Sequence, residues 1–242
     1  MAREAFNWSA LDRSMLYSML YKLKSEVVNK RLTVGTINKL LSQHIKQHIP
    51  VNVTRSRLAP VGKKEIWIGG AYYSDLDRLK RKRFIEVVFA YPTNTSTMRI
   101  SNYRWERMCR LFADTVLHEI IHARQYRARK FKSIPGYEST AYYARTRKEQ
   151  EYYGHRDEMG AHSFNLAQDM IDKFGWDIKS IKTYLDSKVP KRARPNGWGS
   201  FMKAFEYDHD HPKVCQMKRK ILHQLEYAYN GKPFKTSDHL TY

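Results

Sequence analysis

The segment His118-Glu119-Ile120-Ile121-His122 carries residue types whose spacing suits metal chemistry. Two histidines four positions apart on an α-helix project from one face, one turn above the other. Such a pair can hold one Zn²⁺ ion, and Glu119 would then lie beside the metal, where it can take a proton from water. Zinc lowers the pKa of a water molecule from ~15.7 to roughly 7. The segment therefore predicts hydrolysis of an amide bond, although two histidines on a helix are also common as solvated surface residues.

The residues around this segment predict one long amphipathic helix, from about Tyr103 to Arg129. Hydrophobic side chains recur at intervals of three or four, which is typical of a helix face turned toward a core. These side chains are Trp105, Cys109, Phe112, Val116 and Ile120. No Pro or Gly interrupts the stretch. The two histidines fall on a neighbouring face, where we expect a cleft.

A zinc ion on two histidines needs a third protein ligand, and Glu158 is the main candidate. It lies at the start of a second amphipathic pattern, 157–174, which is followed by Gly175. A carboxylate in the first turn of a helix is also favoured by the helix dipole, so its position alone does not require a metal. His155, His162 and Asp157 are rival ligands in the same segment.

The two patterns together, H-E-x-x-H on one helix and E-x-x-A-x-x-F on the next, resemble the Glu-zincin metallopeptidases. The nearest pattern is that of the ImmA/IrrE-like proteins of bacteria, mobile elements and phages. In that family the Glu of E-x-x-A is the third zinc ligand, which the resemblance places on Glu158, with Ala161 and Phe164 matching. His162 departs from the family, which usually has Asn there. The resemblance covers residues 50 to 175 and implies a zincin-like metallopeptidase fold with Zn²⁺ as cofactor.

A second resemblance is to the SprT-like DNA-associated proteases, which combine H-E-x-x-H with a later His after Gly. Gly154-His155 matches that feature, although the gap from His122 is longer than expected for the family. This alternative would make His155 the third ligand in place of Glu158.

The rest of the chain predicts an α+β protein in which N-terminal helices precede a small sheet and the helix with the histidines. Residues 9–49 carry two amphipathic patterns, and residues 51–100 carry four short β-rich runs that predict three or four strands. The last run, Thr97 to Ile100, is the expected edge of the cleft, where a substrate would add as a further strand. We expect residues 1–189 to form the zincin-like domain, and 190–242 a basic linker and a helical C-terminal extension.

Composition favours an intracellular protein with one sizeable core. The chain has 242 residues, of which 42% are hydrophobic and 13% aromatic. No apolar stretch is long enough to span a membrane, and the N-terminal residues lack the hydrophobic core of a signal peptide, so we expect a cytoplasmic protein without a membrane partner. Cys109 and Cys215 do not make a disulfide framework and are expected to be reduced thiols.

The charge of the chain is strongly positive. Lys and Arg number 44 against 24 Asp and Glu, a formal net charge of +20. Such an excess favours association with polyanions, which include nucleic acid and nucleoprotein, in the nucleoid or in a virus particle. The densest basic run is predicted to attract phosphate groups, and its cations are Arg78, Lys80, Arg81, Lys82 and Arg83.

Hydrolysis through a tetrahedral intermediate needs a hydrogen-bond donor for the oxyanion besides the metal. Tyr153 and His155, which come shortly before Glu158, are candidates for this role. The segment from Tyr137 to Tyr153 holds five tyrosines, a density that also fits ordinary packing.

These patterns support two hypotheses. The first is a zinc metalloendopeptidase in which His118, His122 and Glu158 hold the metal, Glu119 is the general base, and the substrate is an intracellular protein, including one bound to nucleic acid. The second is a nucleic-acid-associated or phage virion structural protein that retains a zincin fold. The presence of Glu119 favours the enzyme, because a scaffold would not need it.

Overall fold

The helices and strands of the chain were identified in a computed structural model. The structure describes residues 11–56, 66–81, 83–92, 95–132, 146–187 and 197–229. These residues form a mixed α+β protein that is organised as two compact units, Met1–Ala123 and Arg124–Tyr242. Within the described ranges, no helix combines the length and apolar character that crossing a membrane would require.

The first unit combines N-terminal helices with two small sheets and most of one long helix. Its elements are α1 (Arg13–Tyr21), α2 (Lys24–Val27), β1 (Arg31–Thr33), α3 (Val34–His48), β2 (Asn52–Ser56), β3 (Trp67–Tyr72), α4 (Ser74–Arg78), β4 (Ile85–Ala90), β5 (Thr97–Arg99) and α5 (Asn102–Ala128). The last residues of α5 belong to the second unit. Two N-terminal helical patterns and four β-rich runs were predicted, whereas α4 and β1 were not.

In the described part of the chain, the main sheet has three strands in the order β2-β4-β3. β4 runs parallel to β2 and antiparallel to β3. Along β4, Ile85, Val87 and Phe89 are fully buried and alternate with less buried residues, which is the period-two pattern of a strand with one face on a core. The Phe89 ring stacks on Phe112 of α5 with ring centroids 6.4 Å apart. This contact packs α5 against the inner face of the sheet.

The strand predicted at the cleft edge belongs to another sheet. β5, at Thr97–Arg99, pairs with β1 in a separate two-stranded antiparallel sheet, with Met98 opposite Leu32. Thr97 to Ile100 therefore does not belong to the main sheet, contrary to the expectation of one small sheet, and its place at the edge of a cleft stays a prediction. Residue preferences indicate that a segment is extended, but they do not indicate which strand it pairs with.

The long helix α5 agrees with its prediction to within one residue at each end. Its hydrophobic stripe is buried, and Trp105, Cys109 and Phe112 are completely inaccessible to solvent. Burial raises the pKa of the Cys109 thiol to about 12, because a thiolate would lose its hydration in the core. The stripe fixes which face of α5 meets the sheet, and so also fixes where its other side chains point.

The described residues of the second unit form helices around a hydrophobic core. They are α6 (Thr146–Gly154), α7 (Arg156–Phe174), α8 (Ile178–Asp186), α9 (Gly197–Ala204) and α10 (Pro212–Tyr229). As predicted, α7 is followed by Gly175, whose φ of 61° is the left-handed conformation that glycine adopts readily at a helix end. α9 and α10 share their core with α7, through Trp198, Met217 and Leu166 among others. Most of the predicted linker and of the tyrosine-rich segment lies outside the described residues.

Candidate metal centre

The two histidines of α5 lie on one face of the helix, as their spacing predicts. The Nε2 atoms of His118 and His122 are 3.1 Å apart, and both residues are buried. Ligands on a tetrahedral zinc ion with Zn–N bonds of 2.0–2.1 Å are separated by about 3.3 Å. The distance between the two imidazole nitrogens therefore suits two ligands of one ion.

Glu158 of α7 joins this pair. His118, His122 and Glu158 are all buried, and each offers one ligand atom within 4.8 Å of the other two. Two imidazoles and one carboxylate make up the donor set of catalytic zinc sites that keep a fourth position open. The side chains in this group therefore fit a zinc ion in number and chemical type. His155 is not a member of the group.

Glu119 lies against strand β3. Its side chain is buried, and a Cβ atom added to Gly70 would stand only 2.7 Å from its Oε1 and 2.8 Å from its Cγ. The same Cβ would meet Cγ2 of Thr115 at 2.7 Å. The strand can pass this close to α5 because residue 70 has no side chain. The sequence analysis did not predict this role of Gly70.

β3 is the strand that lies beside Glu119, whereas the sequence predicted Thr97–Ile100 as the edge of the cleft. Among the described strands it is an edge of the main sheet, since its sole partner in the strand order is β4. The edge strand and the carboxylate of Glu119 lie next to each other at Gly70. A peptide chain that paired with β3 would be brought close to this carboxylate.

Tyr153 and His162 surround Glu158 within the second unit. The Nε2 atom of His162 is 3.7 Å from Oε2 of Glu158, and the ring centroid of Tyr153 is 4.9 Å from that of His162. Burial raises the pKa of Tyr153, and the charges of Glu149 and Glu158 add to the effect. A tyrosine phenol already carries its proton at neutral pH, and this shift acts in the same direction, so Tyr153 can donate a hydrogen bond. This is the property that an oxyanion donor needs.

His155 has a structural role at the beginning of α7. It is the N-cap residue, and its Nδ1 atom accepts a hydrogen bond from the backbone N–H of Asp157 at 3.3 Å. Asp157 and Glu158 follow in the first turn, where the positive end of the helix dipole favours carboxylates. The sequence named His155 as a rival ligand and oxyanion donor, and both roles remain predictions.

The predicted phosphate-binding run begins at the end of α4. Arg78, Lys80, Arg81 and Arg83 are exposed, whereas Lys82 lies outside the described residues. Arg78 forms an ion pair with Asp75 at 3.6 Å, and both side chains are largely exposed. Such a pair contributes little to stability, so these cations can reach a polyanion at small energetic cost.

Comparisons with protein families, curated proteins and solved structures found no match to this chain. Its function must therefore be inferred from its own residues and their geometry.

Proposed function

We propose that the protein is a zinc-dependent endopeptidase with a zincin-like fold, which hydrolyses peptide bonds of an intracellular protein. The observation that carries this proposal is the buried group of His118, His122 and Glu158, each with a ligand atom within 4.8 Å of the others. Glu119 follows the first of these ligands in sequence and is itself buried. A purely structural metal site has no need of an additional carboxylate at that position.

The three ligands would hold zinc, which supplies a Lewis acid and lowers the pKa of water to near neutrality. Glu119 accepts the proton of the attacking water and transfers it to the leaving nitrogen. For this transfer the carboxylate must keep a defined position, and the close passage of β3 at Gly70 restricts its movement. Tyr153, whose phenol is protonated at neutral pH, is the candidate donor to the oxyanion.

The edge of the main sheet supports an extended substrate. A peptide that pairs with β3 gains main-chain hydrogen bonds and is held in one orientation relative to α5. We expect the scissile bond to lie near Gly70, because this residue of β3 is the one that approaches Glu119. Positioning of this kind lowers the entropic part of the barrier to reaction.

The test is turnover by a Glu119→Gln variant. The amide keeps the size and shape of the carboxylate, so folding and zinc content should be retained, while peptide-bond hydrolysis should fall by ~10²–10⁴-fold. Glu106→Gln is a matched control, since Glu106 also lies on α5, is partly buried and accepts a hydrogen bond from Asn102. Substrates to assay are the chain itself and proteins that co-purify with it. Cleavage by Glu119→Gln at the wild-type rate would show that Glu119 is not the base.

The net charge of +20 favours a second candidate, a nucleic-acid-associated or phage virion structural protein that retains a zincin fold. The exposed cations from Arg78 to Arg83 would then bind a polyanion as the main activity. If neither wild type nor Glu119→Gln cleaves any protein, yet both assemble into the same nucleoprotein or particle, this candidate replaces the peptidase.

A further inference from the structure

Asp157, the residue before Glu158, is held by a buried ion pair. Its side chain is 2% exposed, and Arg129 donates to it twice, from Nη1 to Oδ1 at 2.8 Å and from Nη2 to Oδ2 at 2.7 Å. Bidentate arginine–carboxylate pairs are stronger and more directional than single hydrogen bonds. The guanidinium of Arg129 also lies over the ring of Tyr126, 4.8 Å from its centroid. Arg129 thus has a defined orientation of its own.

The backbone of Asp157 is held as well. Gln125, which is 1% exposed, donates from Nε2 to the carbonyl oxygen of Asp157 at 3.0 Å. His155 accepts from the N–H of Asp157 on the other side. A Cβ atom on Gly160 would stand 2.6 Å from Nε2 of Gln125, so this approach of α7 to α5 depends on a glycine. The side chain, the carbonyl oxygen and the N–H of Asp157 therefore all form hydrogen bonds.

The two residues that hold Asp157, Gln125 and Arg129, lie on or directly after α5, the helix that carries His118 and His122. Gln125 lies three positions after His122 on α5, and Arg129 follows directly after the helix. α5 is continuous from Asn102 to Ala128, so a shift of α7 along this helix would break the contacts of Asp157. Metal–ligand distances tolerate changes of only about ±0.2 Å. A small slip of α7 would therefore remove a carboxylate from the position of a third ligand.

We propose that Arg129, Gln125 and Asp157 are positioning residues that set the place of Glu158 relative to the histidine pair. This inference rests on the proposed function, since it concerns the third ligand of that site. A purely structural role of the ion pair would affect the stability of the fold alone. A positioning role also affects the affinity for metal and the coordination geometry in protein that remains folded.

Titration of the full-length apoprotein with Co²⁺ separates the two roles, because the visible spectrum of Co²⁺ reports coordination number and geometry. Asp157→Asn removes the charge of Asp157 and leaves all three ligands in place. We expect its dissociation constant for Co²⁺ to rise by about 10–100-fold, the usual effect of losing a residue that supports a ligand, with a changed spectrum. Arg129→Lys should bind Co²⁺ more tightly than Arg129→Met, because lysine keeps the positive charge beside Asp157. It should bind Co²⁺ less tightly than wild type, because lysine cannot form the bidentate pair.

Asp114→Asn is the matched control. Asp114 lies on α5 and forms a partly buried ion pair with Arg13, in which Nε lies 2.7 Å from Oδ1 and Nη2 donates to Oδ2 at 3.0 Å. Its loss should lower the unfolding temperature and leave the Co²⁺ affinity within about threefold of wild type, because Asp114 is neither one of the three ligand residues nor a hydrogen-bond partner of Asp157. All titrations are made well below the unfolding temperatures of the variants.

Gly160→Ala provides a second route to the same result, since it displaces Gln125 without removing a charge. If Asp157→Asn does not fold, Gly160→Ala and the Arg129 variants test the positioning role in its place. The positioning role would be overturned if Asp157→Asn and Gly160→Ala both bound Co²⁺ with wild-type affinity. It would also be overturned if Asp157→Asn and Asp114→Asn lost equal amounts of Co²⁺ affinity. If the wild-type protein itself binds no Co²⁺, the proposed function fails instead, and this inference fails with it.

Discussion

Replacing Gly70 by Ala tests the placement of Glu119 without requiring a substrate. The added Cβ would stand 2.7 Å from Oε1 and 2.8 Å from Cγ of Glu119, and 2.7 Å from Cγ2 of Thr115. Against the 3.4 Å at which ordinary van der Waals contact begins, each of these contacts is 0.6–0.7 Å too short. The φ angle of Gly70 is not positive, so alanine can adopt this backbone conformation and the cost is steric.

Overpacking of one methyl group in a packed interior costs about 1–3 kcal/mol. Alanine recovers roughly 0.5–1 kcal/mol relative to glycine, because the unfolded chain loses less conformational freedom on folding. We therefore expect Gly70→Ala to lower the free energy of unfolding by about 1–2 kcal/mol. In a Glu119→Ala background two of the three short contacts are absent. There the same substitution should cost about 1 kcal/mol less, which is within the range of coupling between neighbouring residues.

Urea unfolding of wild type, the two single variants and the double variant measures this coupling energy. Gly69→Ala is the control, since its Cβ would point to the opposite face of β3, toward the ring of Trp67. That side chain is 43% exposed and can rotate away, so Gly69→Ala should show no coupling to Glu119. A coupling energy between Gly70 and Glu119 below about 0.3 kcal/mol would refute the placement of Glu119 against β3.

Three further predictions concern the ligands, the charge of one helix cap and the basic surface. Zinc content should be lost in Glu158→Ala and retained in His155→Ala, and the reverse result would favour the SprT-like interpretation. The hydroxyl and backbone N–H of Ser180 donate to the carboxylate of Asp177 and lower its pKa below the ordinary 3.8. The carboxylate therefore stabilises the folded state at pH values above 3.8, and this contribution is lost as the pH falls through the lower pKa of the folded protein. The difference in melting temperature between wild type and Asp177→Ala should therefore shrink between pH 7 and about pH 2, whereas a constant difference would contradict this account. Binding of DNA or RNA by the exposed run at 78–83 should weaken steeply with salt, and the absence of binding at both of two salt concentrations would exclude this role.

The helices could be predicted because their hydrophobic periodicity is local information. α5 and α7 agree with their predicted limits to within one residue, and α9 and α10 lie in the region predicted to be a helical extension. The proximity of His118 to His122 follows from helix geometry alone. Glu158 is different, because its distance from the histidines depends on how α5 packs with α7. The sequence pattern of neither helix predicts the distance between Glu158 and the histidines.

Strand pairing was the part of the fold that the sequence did not reveal. β5 pairs with β1, a strand of three residues with no recognisable alternation, across a long separation in the chain. The approach of β3 to Glu119 depends on Gly70 lacking a side chain, which residue preferences do not report. The ion pair of Arg129 with Asp157 was missed because the two residues are distant in sequence and both charges fitted exposed helix ends. The zincin-like fold, the domain limit at 189 and the catalytic roles remain predictions.

The buried thiol of Cys109 can be used to measure how often the core around α5 opens. Thiol reagents attack the thiolate, and Cys109 combines complete burial with a pKa of about 12, so it reacts at neutral pH only when the core around α5 opens. Cys215 of α10 is partly exposed and should be alkylated sooner. The time course of Cys109 therefore reports opening of the core around α5 without an engineered label, and Cys215 serves as the accessible reference thiol. A ligand bound only by the closed form should slow alkylation of Cys109 by the factor 1 + [L]/Kd, where [L] is the free ligand concentration.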